Sequence, residues 1–342
     1  MTTPTLRPAL PLPGSTTRRT FGLMALLVWL VATRPLCSAV EEAGGTAGQT
    51  LVHFAFSTSL FSDVNENDAK AAIKVYSQNI ADANGILVGG DPMLLDGTNA
   101  IIQALQLQQV DVFALKTEEF LTAEEFGLDG PLLLSTINQS FTVEYVLLVR
   151  EDNAIHRVED LNGQSLIFPN DVQGSLSRLW LEVLCREHGL GEAGLALAKI
   201  TPAAKPTQIV LPVFFGKADA CIVTRSGWDV MCELNPQVKK QLRVVAASPP
   251  VIPTVSCFRH GFSETLKLNI VHTAEGSFDK PAFKQLMALF KTDNLCDQPV
   301  SAMAGTRGLV ARYHQLCDGT NVTKAVALGL HISANGNARK EN

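Results

Sequence analysis

The stretch VEDLNGQSLIFPNDVQGSLSRLWLEVLCREHGL, residues 158–190, decides the fold. An apolar strand around "SLIFP" runs into a short polar loop, and a helical pattern follows as far as about His188. Such a turn aims free backbone N–H groups and the positive end of the helix dipole at one point. The loop residues Asn170, Asp171, Gln173, Gly174 and Ser175 therefore either meet a solute or cap the helix behind them. The residues alone leave both open.

The same alternation recurs upstream. "LVHFAF" reads as a buried strand, and "DAKAAIKVYSQNIADANG" carries apolar residues at helical spacing, with Gly85 just past its end. "ILVGG" is a strand, "DGTNAIIQALQLQQ" a helix capped by Asp96 or Thr98, and "VDVFAL" a strand again. Strand-helix-strand-helix-strand over 51–115 implies a parallel sheet with right-handed crossovers. Downstream, "FTVEYVLLV" reads as a long strand, "DACIV" and "LRVVAAS" as further strands, and Gly227 to Leu234 as a helix. "PPVIPTVSCFR" looks like an extended crossover, and three helical segments near 263–272, 280–291 and 306–316 complete the order.

The expected architecture is α/β with two lobes, each a mixed sheet flanked by helices, joined by extended connections near 137–146 and 247–257. Residues 51–140 with 252–325 form the first lobe, 141–251 the second, and the final helices pack back on the first. The tail 326–342 is polar and loose.

The N-terminus lies outside this pattern. Arg18 and Arg19 precede an apolar run from Phe21 to about Thr33, and Cys37-Ser38-Ala39 offers a cleavage site. This is the layout of a secretory signal peptide over 1–39, with a twin-arginine-like pair, followed by a linker over 40–50. The apolar run is shorter than the about 20 residues that a membrane span needs. Export to the periplasm is the implication. Six cysteines then remain, which permits disulfides, and the flanks of the last helix favour Cys296 with Cys317. Cys185 reads as a buried free thiol in a helix.

Bulk properties narrow the function. The chain has 342 residues, 46% hydrophobic and 18% charged, with a formal charge of -5. Length suggests two domains, and the mild acidity without a basic aromatic patch argues against nucleic acid. No cysteine–histidine spacing marks a metal site, and no motif marks a cofactor, a nucleophile with its base, or a phosphate loop.

In open α/β sheets, solutes collect at the carboxyl ends of the strands. The candidate site residues are therefore Ser57, Thr58 and Ser59, then Thr98 and Asn99, then Lys116. The second lobe adds Gln173, Gly174, Ser175, Thr224 and Arg225, and Tyr145 lies beside a connection as floor or lid. Among the other aromatic residues, Phe56 reads as core and Trp228 as packing for a second-lobe helix.

The pieces AIIQALQLQQVDVFAL (100–115), residues 158–190, VFFGKADACIVTRSGWDVM (213–231) and LRVVAASPPVIP (242–253) stand in an order that resembles the phosphate, phosphite and phosphonate substrate-binding proteins of ABC transporters. The resemblance covers roughly residues 50–300. It implies the type II periplasmic binding fold, a monomer, and binding rather than catalysis. Two lobes close over a small solute and the closed form is delivered to a membrane permease. A sensor that presents its closed form to a membrane-bound signalling protein is the alternative, and an enzyme on the same fold the remote one.

The chain departs from the family where the ligand sits. Phosphonate binders carry serine-threonine-serine-glycine in the second-lobe loop, where this chain has Asp171, Val172, Gln173 and Gly174. A family histidine matches about Pro206, flanked by Lys205 and Thr207, and a carboxylate that meets a ligand amine matches about Thr224. Lys205 and Thr207 join the candidate site on this basis. Lys116, Lys205 and Arg225 border the inferred cleft, so the expected solute is small and anionic.

Overall fold

Alternate residues along the strands enter opposite cores. In β2 (Phe54–Ser57), Phe54 and Phe56 face one cluster while Ala55 joins another. In β7 (Tyr145–Arg150), Tyr145, Leu147 and Val149 face one side and Val146 and Leu148 the other. Both faces are covered, which is why these strands read as near-continuous apolar runs. The computed structural model describes residues 50–61, 64–277 and 279–327. The expected signal peptide and most of the linker and the tail lie outside them.

β1 (Leu51–Val52) pairs in parallel only with β3 (Leu87–Val88). The first large sheet has the order β13-β6-β12-β5-β2-β4. Its strands are β2, β4 (Met93–Leu95), β5 (Val112–Lys116), β6 (Leu128–Thr136), β12 (Thr254–Arg259) and β13 (Asn294–Gln298). The strands β4, β2 and β5 are mutually parallel, as the alternating pattern predicts, and β12, β6 and β13 add antiparallel neighbours. "ILVGG" supplies only β3, outside this sheet; the strand that enters it is the three-residue β4, too short for its alternation to register.

The connecting helix α1 (Glu66–Asn84) starts where the Asn65 side chain accepts the backbone N–H of Asn67 at 2.9 Å. It stops at Gly85, whose φ of 62° only glycine adopts freely. The helices α2 (Gly97–Gln106) and α3 (Thr117–Ala123) cover the other face. Later in the chain, α9 (Glu264–Glu275) and α10 (Pro281–Leu289) return to pack beside α1.

The second sheet has the order β11-β7-β10-β8-β9. It comprises β7, β8 (Ser165–Pro169), β9 (Lys199–Ala203), β10 (Ala220–Thr224) and β11 (Leu242–Ala247). One face carries α4 (Ser177–Glu187) and α5 (Ala193–Ala196); the other carries α6 (Pro206–Phe214), α7 (Arg225–Leu234) and α8 (Pro236–Gln241). Two crossovers join the sheets, and they hydrogen-bond to each other. Val143 N–H donates to the Val251 carbonyl at 2.7 Å, and Val251 N–H donates back at 2.9 Å. Both crossovers are shorter than the sequence suggests. β7 begins already at Tyr145, inside the expected connection, and "TVSCF" is a full central strand, β12, buried between β5 and β6.

The last helix, α11 (Ala304–Ala327), corrects an expectation. It does not fold back on the first sheet with α9 and α10. Met303, just before it, is buried with the first sheet, and Arg307 donates to Glu124 at 2.6 Å. Leu309, Tyr313 and Leu316 then pack against α4 on the second sheet. Sequence periodicity reveals an apolar stripe but not which partner covers it.

All six described cysteines are free, so the expected Cys296–Cys317 disulfide is absent. The two residues belong to separate layers: Cys296 lies in β13, and Cys317 in the part of α11 that reaches the second sheet. Cys185 is a buried free thiol in α4, as read from the helical pattern.

Candidate functional site

The carboxyl ends of β2, β5, β8 and β10 bring the candidate residues toward one another. After β2 the chain turns through Thr58–Phe61, and after β8 through Val172–Gly174, and these two 3₁₀ turns touch across the two sheets. Val172 packs into the first sheet's core beside Phe56, Leu60 and Phe290. Behind it lies a cavity of about 50 Å³, apolar except for Gln173 and the hydroxyls of Tyr76, Ser135, Thr254 and Ser256. The side chain of Val172 thus bridges from the second sheet's turn to the first sheet's core.

Of the two roles that the residues of this loop allow, capping is present, but within the loop and not for the helix behind it. Asp171 caps the loop's own 3₁₀ turn, its carboxylate accepting Gly174 N–H at 2.9 Å. Helix α4 begins later, at Ser177, without a side-chain cap. The Gln173 carbonyl accepts the Tyr145 hydroxyl at 2.7 Å, which ties the turn to the floor of the second sheet. Tyr145 is fully buried, stands opposite Thr224 in the β7–β10 pairing, and has its phenol pushed well above the ordinary tyrosine range, by burial first and then by the nearby Glu118 carboxylate.

Several candidates are engaged within their own lobe. The Ser57 hydroxyl donates to Glu119 at 2.7 Å and lies 2.8 Å from the Ser59 hydroxyl. Glu119 is itself buried, and its second oxygen accepts Lys116 N–H at 3.0 Å. Thr58 donates to Asp96 at 2.9 Å. Thr224 caps α7 by accepting Gly227 N–H at 3.1 Å. Arg225 is held by Glu144 of the crossover at 2.7 Å, with a second bond from its backbone N–H to the Glu144 carbonyl. Asn99, Lys205 and Thr207 are exposed and Thr98 half-buried, in the first turns of α2 and α6, apart from the turn-to-turn contact.

Three residues of this region are absent from the candidate residues, although Val172 and Glu118 lie at the strand ends from which those were drawn. Val172 is the lone apolar residue in "NDVQGS", a signal visible in retrospect. Glu144 falls inside a segment that reads as strand. Glu118 sits in "KTEEF", an ordinary charged helix start.

Glu118 is the unusual group. One of its carboxylate oxygens is closed off from solvent with no hydrogen-bond partner, and so is the Ser175 hydroxyl. Burial raises the Glu118 pKa; its own backbone N–H and Lys116 pull it down by less, and Glu119 pushes it up. The folded protein thus holds this proton more tightly than the unfolded chain, whose glutamates titrate near about 4.3. The stability linked to that proton is complete below the unfolded value and drains away as pH rises through the raised folded one. Glu118→Gln is therefore expected to melt above the wild type at pH 7, with the gap closing on acidification below about pH 4. Thermal unfolding of both proteins across this range checks it, and a gap that does not narrow refutes it.

A family model, described as the periplasmic substrate-binding protein of phosphonate ABC transporters, matches residues 65–273. Among solved structures, XAC2383 from Xanthomonas citri, determined with chloride and with ATP, is similar at 16% identity with a TM-score of 0.55, over 79% of this chain and 99% of that one. PhnD1 from Prochlorococcus marinus MIT 9301, in complex with methylphosphonate, is similar at 12% identity with a TM-score of 0.51, over 78% and 98%. No curated protein matches.

Proposed function

We propose that this chain, which belongs to the periplasmic substrate-binding protein family of phosphonate ABC transporters, closes its two lobes over a small anionic solute and hands it to a membrane permease. In this scheme 51–140 with the return from 252 forms one lobe and 141–251 the other. The protein acts as a monomer and performs no chemistry on the solute.

The observation that carries the proposal is the meeting of the Thr58–Phe61 and Val172–Gly174 turns across two sheets that paired crossovers connect. Such an arrangement opens and closes about few residues, and a solute biases it by contacts available only when shut. The anionic character is supported by Lys116 at the end of β5. The helix α2 also starts without a side-chain cap, leaving N–H groups of its first turn available. Arg225 contributes less than its charge suggests, because Glu144 already neutralises it.

A thermal-shift panel of phosphonates, phosphate, sulfonates, carboxylates, cations and neutral solutes tests the proposal. A bound solute at 100 times its dissociation constant adds about 2.7 kcal/mol of stability. Stabilisation by one or more anions is expected. A panel in which only neutral or cationic compounds raise the melting temperature removes the anion.

A further inference from the structure

The turn after β8 carries one apolar side chain, Val172, and that side chain leaves its own sheet for the other. It packs into the cluster that holds Phe56, Leu60 and Phe61. The ring of Phe290 completes the socket, 5.4 Å from the ring of Phe61 and 6.5 Å from that of Phe56. Beside it, Asp171 of the turn and Lys291 of the first sheet's side, opposite in charge, border one narrow crevice.

The mount of this side chain is fixed to the second sheet. The Tyr145 hydroxyl donates to the Gln173 carbonyl at 2.7 Å, and Tyr145 is itself fully buried in the second sheet's core. The Asp171 carboxylate accepts Gly174 N–H at 2.9 Å, and Gly174 lies so close to Pro169 that an added Cβ would stand 2.6 Å from its side chain. Held in this way, Val172 leaves the socket only if the two sheets part. Parting would bring Val172, Leu60 and Phe290 into water, and exposing apolar surface opposes it.

We infer that Val172 is a latch that holds the two lobes shut independently of the solute. The inference rests on the two-lobed closure proposed above and adds what sets its resting position. The latch consists of the chain's own side chains, so it engages before capture as well as after it. The open fraction, through which a solute must enter, is then governed by one apolar residue and its socket.

Small-angle X-ray scattering from the solute-free full chain tests this. Val172→Ser, which puts a hydroxyl against an apolar socket, is expected to show a larger radius of gyration than the wild type, with an unchanged far-ultraviolet circular dichroism spectrum. Where the serine variant loses that spectrum, Val172→Ala replaces it, and the same increase is expected. Equal radii for the wild type and the folded variant overturn the inference, whether both are compact or both extended. No solute enters the measurement, so the two readings fail separately. Equal radii remove the latch and leave capture to the thermal-shift panel, whereas a larger radius in the variant beside a panel without binding keeps the latch and removes capture.

Discussion

Replacing Tyr145 with alanine is expected to cost the fold about 3–5 kcal/mol, the range for deleting a large buried ring, and to abolish solute capture. The ring is fully buried, 6.3 Å from Trp180, at the first position of the second sheet after the crossover. Its backbone is pinned at the same place: Tyr145 N–H donates to the Ser248 hydroxyl at 2.8 Å, and Ser248 N–H donates to the Tyr145 carbonyl at 2.8 Å. Its hydroxyl is what holds the Gln173 carbonyl. One residue thus links hinge, sheet floor and second-lobe turn.

Tyr145→Phe separates these roles. It keeps the ring and leaves the Gln173 carbonyl without its donor, for a cost of about 1–3 kcal/mol. Denaturant unfolding gives the stability of both variants, and calorimetric titration with a compound found in the panel gives their binding. A Tyr145→Phe variant that binds as tightly as the wild type would show that the turn holds its place without the phenol.

Gly174→Ala carries the second large effect. A Cβ at this position would stand 2.6 Å from the Pro169 Cβ and 2.7 Å from the Pro169 carbonyl oxygen. One of these atoms is backbone at the end of β8, so no side-chain rotation relieves the clash. The turn must shift as a unit, drawing Val172 out of the first sheet's core. Overpacking of this kind costs about 1–3 kcal/mol. Binding is expected to fall by about tenfold or more, the equivalent of ~1.4 kcal/mol. Normal affinity in Gly174→Ala would place the solute away from this turn. The glycine is required here by close approach to Pro169 and not by backbone conformation, since its φ is not positive.

What could be read along the chain was local. The end of α1 at Gly85 follows from capping chemistry within a few residues, while its start, capped by Asn65, lies ahead of the helical pattern read from Asp68. The parallel pairing of β2 with β5 follows from strands alternating with helices, because a helical crossover returns the chain in the same direction, while β4 stays illegible. The glycine and polar residues after β8 mark a turn for the same reason: dipole and N–H groups are properties of the strand-to-helix junction itself.

What could not be read depends on who meets whom. Arg225 looks like an available cation until the crossover brings Glu144 to it, 81 residues away in sequence. The hydroxyls of Ser57 and Ser59 look free until Glu119 reaches Ser57. Val172 looks like a filler residue until it enters the other lobe, and Glu118 looks like a surface charge until the fold buries one of its oxygens. Sequence by itself determined the kinds of elements, their order and the two-sheet architecture, because capping, periodicity and turn chemistry act over a few residues. Only the tertiary structure decided which charges are neutralised, which lobe the last helix joins and which carboxylate is left without a partner, because desolvation and ion pairing are set by neighbours that the chain brings together from afar.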